Sequence, residues 1–186
     1  MLFKSAFTGE VALKKIEDYV RTISDFPKPG IQFRDVTTLF SDAKGFRKAV
    51  DALVQLHVGE EIEMVAGIEA RGFILGGAVA HQLGKGFIPV RKQGKLPHDT
   101  IGQEYELEYG TDMVEIHADA VTKGTNVLLI DDLIATGGTA EAAVKLIGQA
   151  GGNVLGASFV IELSDLAGRQ RLEAYDIEVL SLCSFE

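Results

Sequence analysis

The chain of 186 residues has no tryptophan and only one cysteine, Cys183. A lone thiol closes no internal disulfide and anchors no cysteine-rich zinc site. Long apolar runs are missing as well. The longest, such as Val127–Ile130, have the length of a strand and fall far short of a membrane span. Met1-Leu2-Phe3-Lys4 leads into no signal-peptide apolar stretch with a cleavage pattern. The expectation is a cytoplasmic protein with no membrane partner. Positive charge is scarce: 18 Lys and Arg stand against 27 Asp and Glu, a formal net charge of -9. That balance speaks against a nucleic-acid partner. No internal repeat, low-complexity tract or splitting linker is visible, so a single domain over 1–186 is expected.

One stretch departs from the acidic background. From Ala70 to His98 there is no acid, while Arg71, Lys85, Arg91, Lys92 and Lys95 all fall there. A solvated charged face is the plain reading. In so acidic a chain, a site for a small anion explains the gap better.

Apolar spacing predicts the elements. Val11–Ile23 reads as an amphipathic helix, with Ala12, Ile16, Tyr19, Val20 and Ile23 on one face. Pro27, Pro29 and Gly30 then start an extended segment. Asp42 can cap a helix that turns Phe46, Val50, Leu53 and Val54 inward. Met64–Ile68 and Phe87–Val90 read as buried strands around a helix over Gly72–Leu83. A polar loop, Gln93–Gly102, leads to Tyr105–Tyr109 and Met113–Ile116, which suggest a hairpin around Gly110. Val127–Ile130 is an aliphatic strand, Gly138–Ala150 a helix, and Val154–Ile161 and Ile177–Leu182 further strands. Strands alternating with helices predict an α/β fold: a mostly parallel sheet flanked by helices, with the hairpin as an antiparallel addition.

The strongest local pattern runs from Val127 to Thr139: an aliphatic strand, Asp131-Asp132, a Thr-Gly-Gly-Thr loop and a helix. Ligands in open α/β sheets bind beyond the carboxyl ends of strands. The glycines admit a ligand close to the backbone. The helix N-terminus offers unpaired N–H groups, and Thr136 and Thr139 add hydroxyls. This is a cradle for a phosphate monoester. It lacks the Gly-Lys-Ser/Thr ending of a nucleoside-triphosphate loop. Asp131 and Asp132 would repel a phosphate but accept bonds from a sugar diol, or help position a divalent metal through water. Diol and phosphate at the two ends of a short span describe ribose 5-phosphate. The bland alternative is a polar turn with a helix cap.

These thirteen residues resemble the signature of the type I phosphoribosyltransferases, which bind phosphoribosyl pyrophosphate. The resemblance implies the fold of that family, with a small hood over about 1–40 and a flexible lid hairpin over about 92–110. It implies that Asp131 and Asp132 hold the ribose hydroxyls and that Ala135, Thr136, Gly137, Gly138 and Thr139 hold the 5′-phosphate. Arg71, taken alone, is equally a surface arginine near a helix start. By resemblance, Glu69, Ala70 and Arg71 form the pyrophosphate loop, with a non-proline cis peptide at Glu69–Ala70.

Arg91, Lys92 and Lys95 precede a stretch with few apolar anchors, up to Glu104. A lid suits the chemistry, because departure of pyrophosphate leaves an oxocarbenium-like sugar that water would trap. Closure can bring Lys92 or Lys95 to the leaving charge. The resemblance also implies that Arg91 or Lys92 reaches a neighbouring subunit in a homodimer.

Glu106 and Glu108 share the face of a strand that, read alone, is a solvent-facing edge. The Leu-Glu-Tyr-Gly string resembles the adenine-specific members of the family. Their pattern makes Glu108 the general acid/base and lets Tyr109 move with the lid. The string Phe26–Asp35 resembles their hood, with Phe33 and Leu133 sandwiching the purine and backbone near Gln32 and Arg34 reading its edge.

The implied reaction joins adenine to phosphoribosyl pyrophosphate and yields AMP and pyrophosphate. Mg²⁺ would be held by sugar hydroxyls and diphosphate oxygens, with no dedicated protein cage. Three alternatives stand beside it. One is the same chemistry on hypoxanthine, guanine or xanthine, against which the Phe33–Arg34 string argues. Another is a non-catalytic regulator, against which the acidic charge, Arg71 and Glu108 argue. The last is a synthetase of phosphoribosyl pyrophosphate, whose ATP-binding part is not found here.

Overall fold

Arg21–Ser24 (β1) and Gln32–Asp35 (β2) form an antiparallel hairpin in the computed structural model, which describes residues 14–106 and 110–186. The helix expected over Val11–Ile23 is therefore corrected from Lys14 onward. Val11–Leu13 lie outside the described residues. Only Glu17–Tyr19 winds, as a 3-10 turn. The apolar spacing had a different cause: Ile16 is buried while all four residues of β1 are exposed. Thr22 and Ile23 are β-branched, and their backbone pairs with Arg34 and Phe33. An Arg21–Asp35 ion pair fastens the open end of the hairpin.

A short helix, Thr37–Ser41 (α1), was not anticipated from the sequence. It leads into Ala43–Leu56 (α2), whose N-cap is Asp42. The Asp42 carboxylate accepts from the N–H groups of Lys44 and Gly45, both at 2.9 Å. Met64–Ile68 (β3), Arg71–Leu83 (α3) and Gly86–Lys92 (β4) follow as a parallel β-α-β unit. Thr100–Glu106 (β5) and Thr111–His117 (β6) pair antiparallel. The polar loop is thus shorter than expected, because β5 already starts at Thr100 opposite His117. One face of β5 packs on the core through Ile101 and Tyr105, an alternation too sparse to read beforehand. Leu107–Tyr109 lie outside the described residues.

Asn126–Ile134 (β7), Gly138–Gln149 (α4), Asn153–Leu163 (β8), Gly168–Glu173 (α5) and Glu178–Phe185 (β9) complete the chain. The sheet order is β5-β6-β4-β3-β7-β8-β9, parallel from β4 to β9 and antiparallel at β6. β7 is apolar without alternation because both of its faces are covered. Val127 and Leu129 enter one core with Ala143, Leu146 and Ile147 of α4. Leu128 and Ile130 enter the other with Leu53 of α2 and Leu75 and Val79 of α3. Strand order reverses between β3 and β7: the chain passes from β3 to β4 on one side, and from β7 to β8 and β9 on the other. The crevice beyond the carboxyl ends of β3 and β7 is where an open sheet of this kind receives a ligand.

Candidate active site

A cavity of about 530 Å³ occupies that crevice. Ile68–Arg71 from the end of β3 form one wall, and Asp131–Ala140 form the opposite one. Lys92 of β4 and Tyr105 of β5 close a third side.

Asp131 and Asp132 were expected just past their strand. They lie inside it, since β7 keeps pairing with the long β8 as far as Ile134 opposite Glu162. Alternation along β7 gives the two acids different surroundings. Asp132 is buried and accepts from Arg71 Nε at 2.6 Å. Asp131 is half-buried against α3, and its Oδ1 accepts from the Asp132 N–H at 2.9 Å. The helix comes so close that a Cβ on Gly72 would sit 2.7 Å from that oxygen. Burial, and then the negative charge of Asp132, push the Asp131 carboxyl well above the usual carboxylate range.

The next wall is built by a backbone that needs glycine. Gly137 has φ +77° and is the N-cap of α4, with no side chain capping that end. A Cβ there would meet Gly168 Cα at 2.9 Å, so α5 packs directly beneath the loop. The first N–H groups of α4 have no intrahelical partner and face the cavity with Thr136 and Thr139. Arg171 of α5 steadies the loop from below: Nη1 donates to the Thr136 carbonyl at 3.3 Å, and Nε lies 2.9 Å from Glu141 of α4.

At the β3 end, the Glu69–Ala70 peptide is cis. Glu69 gathers the lid cations. Its carboxylate accepts from Lys92 N–H at 3.0 Å, Arg91 Nε at 3.3 Å and Lys95 Nζ at 3.1 Å. Partial burial works to raise its pKa, yet these bonds outweigh that and hold the carboxyl below its ordinary value. Of the three lid cations only Lys92 stands on the cavity wall. Its ammonium lies 2.9 Å from Asp112 on β6.

The residues expected around the base are not brought together. Leu133 lines the cavity; Gln32, Phe33 and Arg34 do not. Gln32 accepts from Ser24 Oγ at 3.1 Å, and Phe33 packs edge-to-face on Phe26 with ring centroids 5.2 Å apart. Arg34 lies over the Phe185 ring at 4.3 Å and donates to Thr22 Oγ1 and to the Glu186 carbonyl. Glu108 and Tyr109 lie outside the described residues. Sequence reasoning missed Asp112 and Arg171 and gave Tyr105 no role in the site. Tyr105 was read only as the first residue of a strand, and nothing local marks the other two.

The model of the phosphoribosyl transferase domain family matches residues 36–185. An adenine phosphoribosyltransferase of Parvibaculum lavamentivorans is 77% identical over 171 residues, covering 92% of this chain and 98% of that protein. The crystal structure of an adenine phosphoribosyltransferase from Thermoanaerobacter pseudethanolicus superposes with a TM-score of 0.87 at 47% identity, over 91% of this chain and 98% of that one. The Saccharomyces cerevisiae enzyme, solved with an imino-altritol bisphosphate and adenine, gives a TM-score of 0.84 at 40% identity, over 90% of this chain and 96% of that one. Strand order, cavity and sequence agree: the chain belongs to the phosphoribosyltransferase family, among its adenine phosphoribosyltransferases.

Proposed function

We propose that the cavity between β3 and β7 transfers the phosphoribosyl group of phosphoribosyl pyrophosphate to adenine, releasing pyrophosphate and forming AMP. One observation carries the reading: paired aspartates, an uncapped helix N-terminus and two cations, Arg71 and Lys92, line one cavity, which suits a diol, a 5′-phosphate and a diphosphate.

In this reading Asp131 and Asp132 accept bonds from the ribose hydroxyls. The N–H groups from Ala135 to Thr139 take the 5′-phosphate, with Thr136 and Thr139 adding hydroxyls. Peptide groups of Glu69 and Ala70 face the diphosphate. Arg71 grips it with the nitrogens not engaged by Asp132. Lys92 meets the leaving charge from the rim, with Arg91 and Lys95 held behind it on Glu69. Leu133 takes one face of the purine. Phe33 takes the other when the hood closes, bringing backbone near Gln32 and Arg34 to its edge. As the bond from the anomeric carbon to the diphosphate breaks and the bond to the ring nitrogen forms, Glu108 exchanges the nitrogen's proton. Tyr109 moves with the lid.

Among the described residues no group of three acids, histidines or cysteines is arranged to hold a metal. Asp131 and Asp132 are hard oxygen donors, which suits Mg²⁺ held jointly with substrate oxygens and water. Bound there, the ion would offset the negative charge of the departing diphosphate. A second copy belongs to the proposal too: with Lys92 on the wall of its own cavity, Arg91 is the residue that would cross a homodimer interface. So does a cytoplasmic location, in keeping with the buried, unpaired thiol of Cys183.

The test is direct. Purified protein with Mg²⁺, adenine and phosphoribosyl pyrophosphate yields AMP, and hypoxanthine or guanine at equal concentration competes poorly. No AMP, or equal use of all three bases, contradicts the proposal.

A further inference from the structure

Asp112 belongs to none of the motif strings, yet it holds the lid cation that reaches the cavity. Its Oδ2 accepts from Lys92 Nζ at 2.9 Å and from the Tyr105 hydroxyl at 3.1 Å. Its Oδ1 accepts from the Met113 N–H at 2.8 Å. These side chains form a row across three strands. Tyr105 and Asp112 oppose each other between β5 and β6. Lys92 on β4 opposes Val114, two residues along β6 from Asp112, so Lys92 and Asp112 share a face. The row ends at the phosphate-binding turn, where a Cβ on Gly138 would lie 3.9 Å from the Tyr105 ring and Tyr105 lines the cavity with Thr139.

Lys92 and Tyr105 line the cavity; the Asp112 carboxylate stands behind them and is not part of the wall. A diphosphate entering the cavity therefore meets the ammonium first. Lysine has a flexible four-carbon stem, and the Lys92 side chain is 54% exposed. Left alone it would have to be ordered at the moment of binding. Held by Asp112, it is ordered beforehand. Each partner also keeps the other charged: the Asp112 bond raises the pKa of Lys92, and the Lys92 bond lowers that of Asp112.

We propose that Asp112 is a positioning residue, holding the Lys92 ammonium at the pyrophosphate end of the cavity and, through Tyr105, bracing that end against the turn at Gly138. This rests on reading the cavity as the phosphoribosyl pyrophosphate site.

The experiment titrates full-length protein with pyrophosphate in the presence of Mg²⁺ and measures KM for both substrates. Asp112→Ala weakens pyrophosphate binding by roughly fivefold, the factor expected from a half-exposed ion pair. KM for phosphoribosyl pyrophosphate rises in step while KM for adenine stays put. Asp112→Asn, which keeps the shape and an acceptor, loses less. Tyr105→Phe shifts binding the same way, more weakly. In a Lys92→Met background, Asp112→Ala adds nothing further. That split of KM values and that non-additivity are what a merely structural role would not produce. Should Asp112→Ala fail to fold, Asp112→Asn and Tyr105→Phe carry the comparison. Unchanged or tighter pyrophosphate binding, an equal rise in adenine KM, or full additivity with Lys92→Met overturns the proposal. If the wild-type protein itself does not bind pyrophosphate, the reading of the cavity falls and this role with it. If it binds and Asp112→Ala is indifferent, only the role of Asp112 falls.

Discussion

Arg71 Nε lies 2.6 Å from the Asp132 carboxylate, so one ion pair joins the start of α3 to β7 across the floor of the cavity. Asp132 is buried and Arg71 is about half exposed. Removing the arginine leaves a buried carboxylate without its cation. Arg71→Ala should therefore cost stability of about 1–2 kcal/mol, the exposure of Arg71 keeping the figure below that of a fully buried pair. It should also raise KM for phosphoribosyl pyrophosphate by about tenfold or more, through loss of a charge-assisted grip. Urea unfolding and steady-state kinetics on one preparation check both parts.

Asp131 yields a prediction of opposite sign for stability. Its folded pKa is raised by burial and by Asp132, so the folded state binds more protons than the unfolded state between the ordinary carboxylate pKa and the raised one. Stability is then lost as pH rises through that window. Asp131→Asn should melt higher than wild type at neutral pH, with the advantage fading as pH falls below the ordinary carboxylate range. The same substitution should weaken binding of phosphoribosyl pyrophosphate. Melting temperature against pH for the two proteins tests the sign.

Gly137 is held at φ +77° with Gly168 directly beneath it. Gly137→Ala adds a strained backbone and a methyl 2.9 Å from the Gly168 Cα. We expect destabilisation of about 2 kcal/mol or more and a KM defect for phosphoribosyl pyrophosphate that exceeds any for adenine. Equal defects for the two substrates would speak against a phosphate role for this turn.

Glu108→Gln should lower turnover by about 100-fold while leaving adenine affinity nearly intact, as expected for loss of proton transfer. Unaltered turnover would take the general acid/base role away from Glu108.

The Cys183 thiol gives a test of the core. Burial, with a smaller push from the charge of Glu17, raises its pKa to about 12, and its Sγ donates to the Val160 carbonyl at 3.2 Å. Alkylation at neutral pH should be slow in the native protein and rapid in urea. Fast labelling of native protein would show that this part of the core opens readily.

What was legible in the sequence follows the range of the interactions. The unit from β7 to α4 could be read because a continuous apolar run, an acid pair and a glycine turn are contiguous, and two-sided burial requires just such a run. The hood could not. Ile16, Tyr19 and Ile23 fall at helical spacing, but β1 is decided by its pairing with β2 across a turn closed by Pro27, Pro29 and Gly30. The acids of β7 were placed one step too late because only the length of β8 shows that pairing continues past Ile130. Asp112 and Arg171 acquire their places from strand order and from the packing of α5, which no local spacing encodes. The cation-rich stretch was legible as charge. That Glu69 gathers Arg91 and Lys95 while, of the three lid cations, Lys92 alone reaches the wall was not.

The most direct measurement is a crystal structure of the protein grown with Mg²⁺ and phosphoribosyl pyrophosphate. The account predicts the 5′-phosphate on the N–H groups from Ala135 to Thr139, the ribose hydroxyls on Asp131 and Asp132, and the diphosphate between Arg71 and Lys92. A sugar bound elsewhere, with the turn before α4 empty, would contradict it.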